Sequence, residues 1–251
     1  MNSISRSKYL GMLIFFLPLI SVNSILILSQ SFEFRNDPVK GNYYKDIKIY
    51  NAGDGLRDKQ DLNRLGYAIP YIDGTTSISR LGRVFPNSLI FKPLMVITGV
   101  LICLFWNYQR KIFDKFSGDK KSLMKFYRYG LLCGITLILH TILLGIKFDN
   151  SLYKFLFILN LATCVLSGIL AKFIFVNYIN RLSEKKNFFR NIFFNLQYLL
   201  SYALLIILFV SLFLLFFDNS KKFILIIEWN YFVAIFLFYL LYSFSWKKIN
   251  L

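Results

Sequence analysis

The chain has little of what metalloproteins and nucleotide-dependent enzymes need for their sites. It holds one histidine and three cysteines among its 251 residues. A single histidine forms no Cys/His cluster with metal-ligand spacing, and Cys103, Cys133 and Cys164 lie inside apolar runs, where we interpret them as small apolar residues. The motifs GxGxxG, GxxxxGK and GxSxG are missing as well. The sequence therefore predicts no metal, no nucleotide cofactor and no disulfide in the polar loops.

What the chain does have is apolar surface and positive charge. Hydrophobic residues make up 56% of it, aromatic residues 19%, and the mean hydropathy is +0.52. These values indicate an integral membrane protein. The net charge of +17 would also suit a nucleic-acid partner. The Lys and Arg residues, however, lie in short loops between apolar runs, which is typical of membrane anchoring and argues against nucleic acid.

Six apolar stretches reach the roughly 20 residues that cross a bilayer core. They are residues 9–29, 89–108, 129–147, 153–178, 198–217 and 222–246. The sequence thus predicts an all-α, polytopic membrane protein, with a six-transmembrane-helix bundle as its single domain over 1–251. One sizeable loop, about 31–87, is predicted to be ordered and exoplasmic.

Basic residues orient these spans without contradiction. Those of one side are Arg6, Lys8, Arg110, Lys111, Lys115, Lys120, Lys121, Lys125, Arg128, Arg181, Lys185, Lys186, Arg190, Lys247 and Lys248. In the long loop on the other side, basic residues are nearly matched by acids. Because cytoplasmic loops carry the excess of Lys and Arg, both termini are predicted to be cytosolic.

Two local alternatives concern the N-terminal third. Arg6 and Lys8, the apolar run and the small residues Ser29 and Ser31 would also suit a cleavable signal peptide, although the run is long for one and contains Pro18. Within the long loop, "KDIKIY" at 45–50 alternates as a strand does, and "NAGDG" at 51–55 predicts a turn. We expect a small ordered cap on the helices.

Four polar side chains are predicted to lie at similar depth in four different spans. They are Asn23, His140, Asn160 and Glu228. Ionisable groups within a span are costly and often mark function, so one interpretation is a polar chamber that holds a lipid head group or moves a proton. In an enzyme, His140 would be the general base and Glu228 or Asn160 its orienting partner. The other interpretation is that the four side chains join helices by hydrogen bonds.

Three stretches carry a resemblance to a known family. "SISRLGRVFPNSLIFK" at 77–92 resembles the motif that precedes the second helix of the Frag/DRAM/Sfk superfamily, and "FWNY" at 105–108 resembles the end of that helix. "ILIIEWNYF" at 224–232 is similar to an acid-aromatic pair in the last helix of the family. The helix and loop spacing is similar over nearly the whole chain, but the resemblance includes neither His140 nor the loop between Phe32 and Pro70.

The resemblance implies a Golgi or endoplasmic-reticulum membrane protein. The most similar branch takes part in remodelling the lipid of GPI anchors, at the stage where a lyso-anchor regains a fatty acid. The expected partner is a membrane lipid or the GPI glycolipid, with other membrane proteins as further candidate partners. The implied head-group loop comprises Ser77, Ser79, Arg80, Gly82, Arg83 and Pro86. Gly82 and Pro86 would shape its turn, the arginines would lie at phosphate level, and the serines would serve as hydroxyl groups or as local caps.

The resemblance leaves the chemistry of the protein open. The chain could be an acyltransferase or a helper of one. A non-enzymatic regulator of lipid distribution or autophagy is a second hypothesis, and a small transporter that uses Glu228 for proton coupling is a third.

Overall fold

The computed structural model describes residues 3–31, 69–74, 76–83, 85–114, 119–146, 150–186, 192–214 and 221–245. In this part of the chain every regular element is an α-helix. The helices are α1 (Ser3–Ser31), α2 (Pro70–Asp73), α3 (Ile78–Arg83), α4 (Asn87–Asp114), α5 (Lys120–Leu143), α6 (Ser151–Lys186), α7 (Ile192–Leu214) and α8 (Lys221–Ser245). The predicted all-α class is confirmed, while the strand and turn predicted at 45–50 and 51–55 lie outside the described residues.

Six of the described helices, α1 and α4 to α8, are long and apolar enough to cross a membrane. The protein is therefore a multi-pass integral membrane protein. The prediction of the third span at 129–147 was wrong at both ends. Asp119 caps the start of α5 by accepting a hydrogen bond from the Ser122 N–H, and the left-handed Gly145 (φ 87°) follows its last turn.

The six spanning helices form a ring in which each packs against its neighbours in the chain and α8 returns to α1. Successive helices run in opposite directions. Ser7, near the start of α1, contacts Tyr242 near the end of α8, whereas Ser29, near the end of α1, contacts Asn87 at the start of α4. Ser3 and Ser245 therefore lie at the same end of the bundle, which we call the terminal side. The opposite end, where α2 and α3 lie, is the loop side.

Aromatic side chains fill the centre of the ring. Trp106 of α4 is fully buried, and its ring centroid lies 5.6 Å from Phe175 of α6 and 5.9 Å from Phe126 of α5. Lipid tails are as apolar as these side chains, so close packing and not exclusion from water holds the helices together. At the crossing of α4 and α5, a Cβ on Gly134 would lie 2.7 Å from the Gly99 carbonyl oxygen, and glycine permits this approach.

A buried polar triad joins three helices near the terminal side. The Tyr242 hydroxyl donates to Oε1 of Gln109 at 2.7 Å, Gln109 donates to the Ser7 hydroxyl, and Ser7 lies 3.2 Å from the Tyr242 hydroxyl. The triad links α1, α4 and α8 and satisfies polar groups that lipid cannot. The triad therefore joins the first and last helices of the ring at the terminal side.

Candidate functional site

Residues 69–74 and 76–83, which we call the segment 69–83, lie against the first turns of α8 and are held there by three consecutive residues. Glu228 accepts a hydrogen bond from the Ile78 N–H through Oε1 at 3.1 Å. Trp229 donates from Nε1 to the Thr76 carbonyl at 2.7 Å, and Asn230 donates from Nδ2 to the Tyr71 carbonyl at 2.8 Å. The triplet at 228–230 therefore fixes the segment to α8 at the loop side.

The acid of this triplet caps α3. The Glu228 carboxylate interacts with the backbone N–H groups of both Ile78 and Ser79, and the Ser77 hydroxyl accepts from the Arg80 N–H at 3.2 Å. The first N–H groups of a helix have no partner within it, and a carboxylate near them is also favoured by the helix dipole. Ser77 thus has the local capping role, and it shares a hydrogen bond with the Ser79 hydroxyl at 3.3 Å.

The first part of the segment is fixed by Tyr71 and Gly74. The Tyr71 ring lies edge-on to Trp229 at 4.8 Å, and its hydroxyl donates to Oδ1 of Asn23 at 3.3 Å. Burial raises the pKa of Tyr71, an effect that this hydrogen bond opposes. Gly74 ends α2 with φ 58°, and a Cβ there would meet the Lys222 carbonyl. Only glycine fits this turn without strain.

The last part of the segment corrects one expectation. Gly82 does not shape a turn. It lies within α3, where a Cβ would lie 2.6 Å from the Phe91 ring, so the requirement is one of space. Pro86 does lie in the turn before α4, where its carbonyl accepts from the Leu89 N–H at 3.0 Å. Asn87 then donates to the Leu81 carbonyl at 3.2 Å and ties this turn to α3.

The two arginines of α3 form the cationic part of the site. Arg80 and Arg83 are three residues apart, so they lie on neighbouring positions of one helical face, and both are partly buried. Arg83 also donates from Nε to the Ser79 carbonyl at 3.1 Å. Burial, and then the charge of Arg80, lower the pKa of Arg83. Guanidinium groups nevertheless stay charged in proteins, so two positive charges are held together here, with the Glu228 carboxylate within electrostatic range of Arg80.

The four polar side chains predicted at one depth divide into two pairs. Asn23 and Glu228 both hold the segment 69–83, as described above. His140 and Asn160 join α5 to α6, because the His140 ring stacks on Phe157 at 4.5 Å and Asn160 donates to the Thr136 carbonyl at 3.0 Å. His140 also lies within electrostatic range of Arg83, and no described residue forms a hydrogen bond with its buried Nδ1. A shared functional role of the four stays a prediction.

Sequence reasoning missed Lys172, on α6. This side chain is 1% exposed, and its Nζ lies 5.1 Å from the centroid of the Tyr239 ring and 5.6 Å from that of Phe238. Both distances are within the range of cation–π attraction. The signal was present in the sequence, because a lysine inside an apolar run of this length is as unusual as His140 or Glu228.

Comparison of the chain with models of protein families, with curated proteins and with solved structures found no match.

Proposed function

We propose that the protein is a membrane factor in GPI-anchor lipid remodelling in the early secretory pathway, at the stage where a lyso-anchor regains a fatty acid. One observation carries the proposal. The two stretches that resemble the Frag/DRAM/Sfk superfamily most specifically, 77–92 and 224–232, are far apart in sequence, yet Glu228 of one caps the helix formed by the other. Motifs that belong to one structural unit are expected to be kept together in a family, and post-GPI attachment to proteins factor two is the member of this superfamily on which the proposal is based.

The chemistry of this unit suits a lipid head group. Arg80 and Arg83 lie at the loop-side ends of the spanning helices, which is where the phosphates of a bilayer leaflet are found. A planar guanidinium binds phosphate through two parallel hydrogen bonds, and a GPI lipid carries a phosphate on its inositol. The hydroxyl of Ser77 is used in capping α3 and is not held as a nucleophile would be. The proposed task of the unit is therefore to bind and position the glycolipid.

Charge supports the orientation that this function requires. The loops and chain ends on the terminal side contain the basic clusters, so we propose that this side faces the cytosol and that the loop side faces the lumen of the Golgi or endoplasmic reticulum. GPI anchors are displayed on the lumenal leaflet, which is the leaflet next to α3 in this orientation.

Disruption of the gene, followed by analysis of anchor lipids on surface GPI-anchored proteins, tests the proposal. We expect fewer such proteins at the surface and the release of lyso-anchored forms into the medium. Re-expressed wild type should restore both, whereas the double variant Arg80→Gln, Arg83→Gln should not, at equal protein level. Arg128→Gln, on the terminal side, is the matched control and should restore both. Normal anchors in the disrupted cells would refute the proposed function.

A further inference from the structure

The face of α6 that packs on α7 is covered in one half of the helix and open in the other. In the terminal half, the Phe173 ring lies 5.1 Å from the ring of Tyr202, and Asn177 accepts from the Tyr202 hydroxyl at 3.3 Å. Phe155 and Leu159 precede these two α6 residues by about five helical turns and so lie on the same face. They are 60% and 47% exposed. α7 therefore leaves this face uncovered toward the loop side.

The face of α6 that points into the ring is likewise buried in the terminal half of the helix and exposed in the loop-side half. Val176 and Ile179 are at most 2% exposed, because they pack within the ring. Ile158 and Leu161, about five turns earlier on that face, are 64% and 43% exposed. The inside of the ring is thus open beside the loop-side half of α6.

The contacts of the flanking helices explain the opening. α6 stays with α5 toward the loop side, through the Asn160 hydrogen bond and the stacking of Phe157 on His140. α7 is bonded to α8 instead: Gln197 donates to the Phe238 carbonyl at 3.4 Å near the terminal side, and Leu204 accepts from the Tyr231 hydroxyl at 3.2 Å near the middle of α7. With α6 held to α5 and α7 held to α8, the exposure of α6 indicates that the two helix pairs separate toward the loop side. We call the resulting space, lined by Phe155, Ile158, Leu159 and Leu161 of α6, the α6–α7 cleft.

Cationic groups lie on the loop side of the bundle, which is the side toward which this apolar cleft opens. Arg83 is within electrostatic range of His140, whose ring stacks on Phe157 of α6, and Arg80 is close enough to act on Arg83. An apolar slot that opens toward the side of the bundle carrying two guanidinium groups is complementary to a molecule with an acyl chain and a phosphate. The segment 32–68 of this chain is a poor occupant, because Lys, Arg, Asp and Glu recur throughout it.

We infer that the α6–α7 cleft admits a phosphate-bearing membrane lipid sideways from the bilayer, with an acyl chain against α6 and the phosphate at Arg80 and Arg83. The inference rests on the proposed function and adds to it the route and the subsite by which the lipid reaches the site. The acyl chain stays in apolar surroundings throughout, so the step costs no transfer to water. The charged head slides along the head-group level until it meets the arginines.

Photo-crosslinking of the full chain in nanodiscs tests the inference. The nanodiscs would contain phosphatidylcholine with a minor fraction of phosphatidylinositol carrying a diazirine in its acyl chain. We expect crosslinks on α6 between 155 and 161, and competition by unlabelled phosphatidylinositol but not by diacylglycerol, which lacks the phosphate. In the double variant Arg80→Gln, Arg83→Gln, this competition should weaken by roughly thirtyfold, since two contacts near the head groups are lost.

Two tryptophan variants separate the cleft from ordinary lipid contact. Ile158→Trp fills the cleft, whereas Leu156→Trp adds the same side chain two positions away, on the opposite face of α6. The first should lower the crosslinking yield severalfold and the second should leave it unchanged. Ala162→Trp, on the exposed α7-facing side, repeats the test if Ile158→Trp does not give folded protein.

Equal yields in the Ile158→Trp and Leu156→Trp variants would overturn the inference, as would crosslinks confined to the outward face of α6. The outcome is separable from that of the proposed function. Specific crosslinks together with normal anchors in disrupted cells would refute the proposed function and leave the cleft in place. Altered anchors without specific crosslinks would do the reverse.

Discussion

Replacing the carboxyl group of Glu228 measures how much its cap on α3 contributes to the free energy of unfolding. Glu228→Leu replaces the carboxylate with an apolar side chain. The N–H groups of Ile78 and Ser79 then lose their acceptor. A buried donor without a partner costs about 1–3 kcal/mol. The bond between Glu228 and the Ile78 N–H is only partly buried, so we expect the variant to lose about 1–2 kcal/mol of unfolding free energy, near the low end of that range.

Glu228→Gln separates the hydrogen bond from the charge. The amide retains an oxygen that can accept from Ile78, but it no longer acts as a carboxylate on the helix dipole or on Arg80. Charge at a helix N-terminus contributes about 0.3–1 kcal/mol, so the free energy of unfolding of this variant should lie between those of wild type and Glu228→Leu.

The assay is reversible unfolding in mixed micelles of mild detergent and dodecyl sulfate, followed by tryptophan fluorescence, to which the buried Trp106 and Trp229 contribute. Asn160→Leu is a matched control, because it removes one ordinary bond between two helices, for which about 0.6 kcal/mol is the average cost. Glu228→Leu should be the less stable of the two. If Glu228→Leu unfolded together with wild type, the cap would not stabilise the fold. If Gln and Leu at this position were equally destabilising, charge rather than the hydrogen bond would be responsible.

Three further predictions concern other parts of the molecule. Lys172→Met should change the free energy of unfolding by no more than about 1 kcal/mol, because the lost cation–π attraction and the removed desolvation penalty offset each other, while Lys172→Glu should lower it by several times as much in the same assay. A strongly destabilised Lys172→Met would mean that the ammonium group has a polar partner. A cysteine at Lys120 should react with an impermeant reagent only from the cytosol and one at Asp58 only from the lumen, so labelling of both from one face would exclude the proposed topology. Hydrogen bonds from Ser122 lower the pKa of Asp119, so its cap is complete at neutral pH and is lost only in acid, as the pH falls through this lowered pKa. Asp119→Ala should therefore be less stable than wild type by about 1 kcal/mol near pH 7, with the difference shrinking in acid; a pH-independent difference would contradict the role of the carboxylate.

The sequence alone determined the class, the number of spans and their alternation. Apolar runs of about 20 residues leave the backbone no other way to satisfy its hydrogen bonds in lipid than helices, and this constraint is local. It also determined which loops carry positive charge. Helix ends were predicted less accurately, as at 129–147. Caps such as Asp119 and turns such as Gly145 determine where a helix ends, and neither is visible in the hydropathy of the sequence.

The tertiary structure alone decided how the polar residues are paired. Depth along a span can be counted from the sequence, but the direction of a side chain depends on how each helix is rotated against its neighbours. Glu228 and His140 lie at similar depth, yet one caps α3 and the other stacks on Phe157. The rotation of α6 against α8 likewise places Lys172 next to the aromatic rings of Phe238 and Tyr239. The opening beside Ile158 has no sequence signal at all, because an apolar residue that faces lipid and one that faces a packed helix read alike.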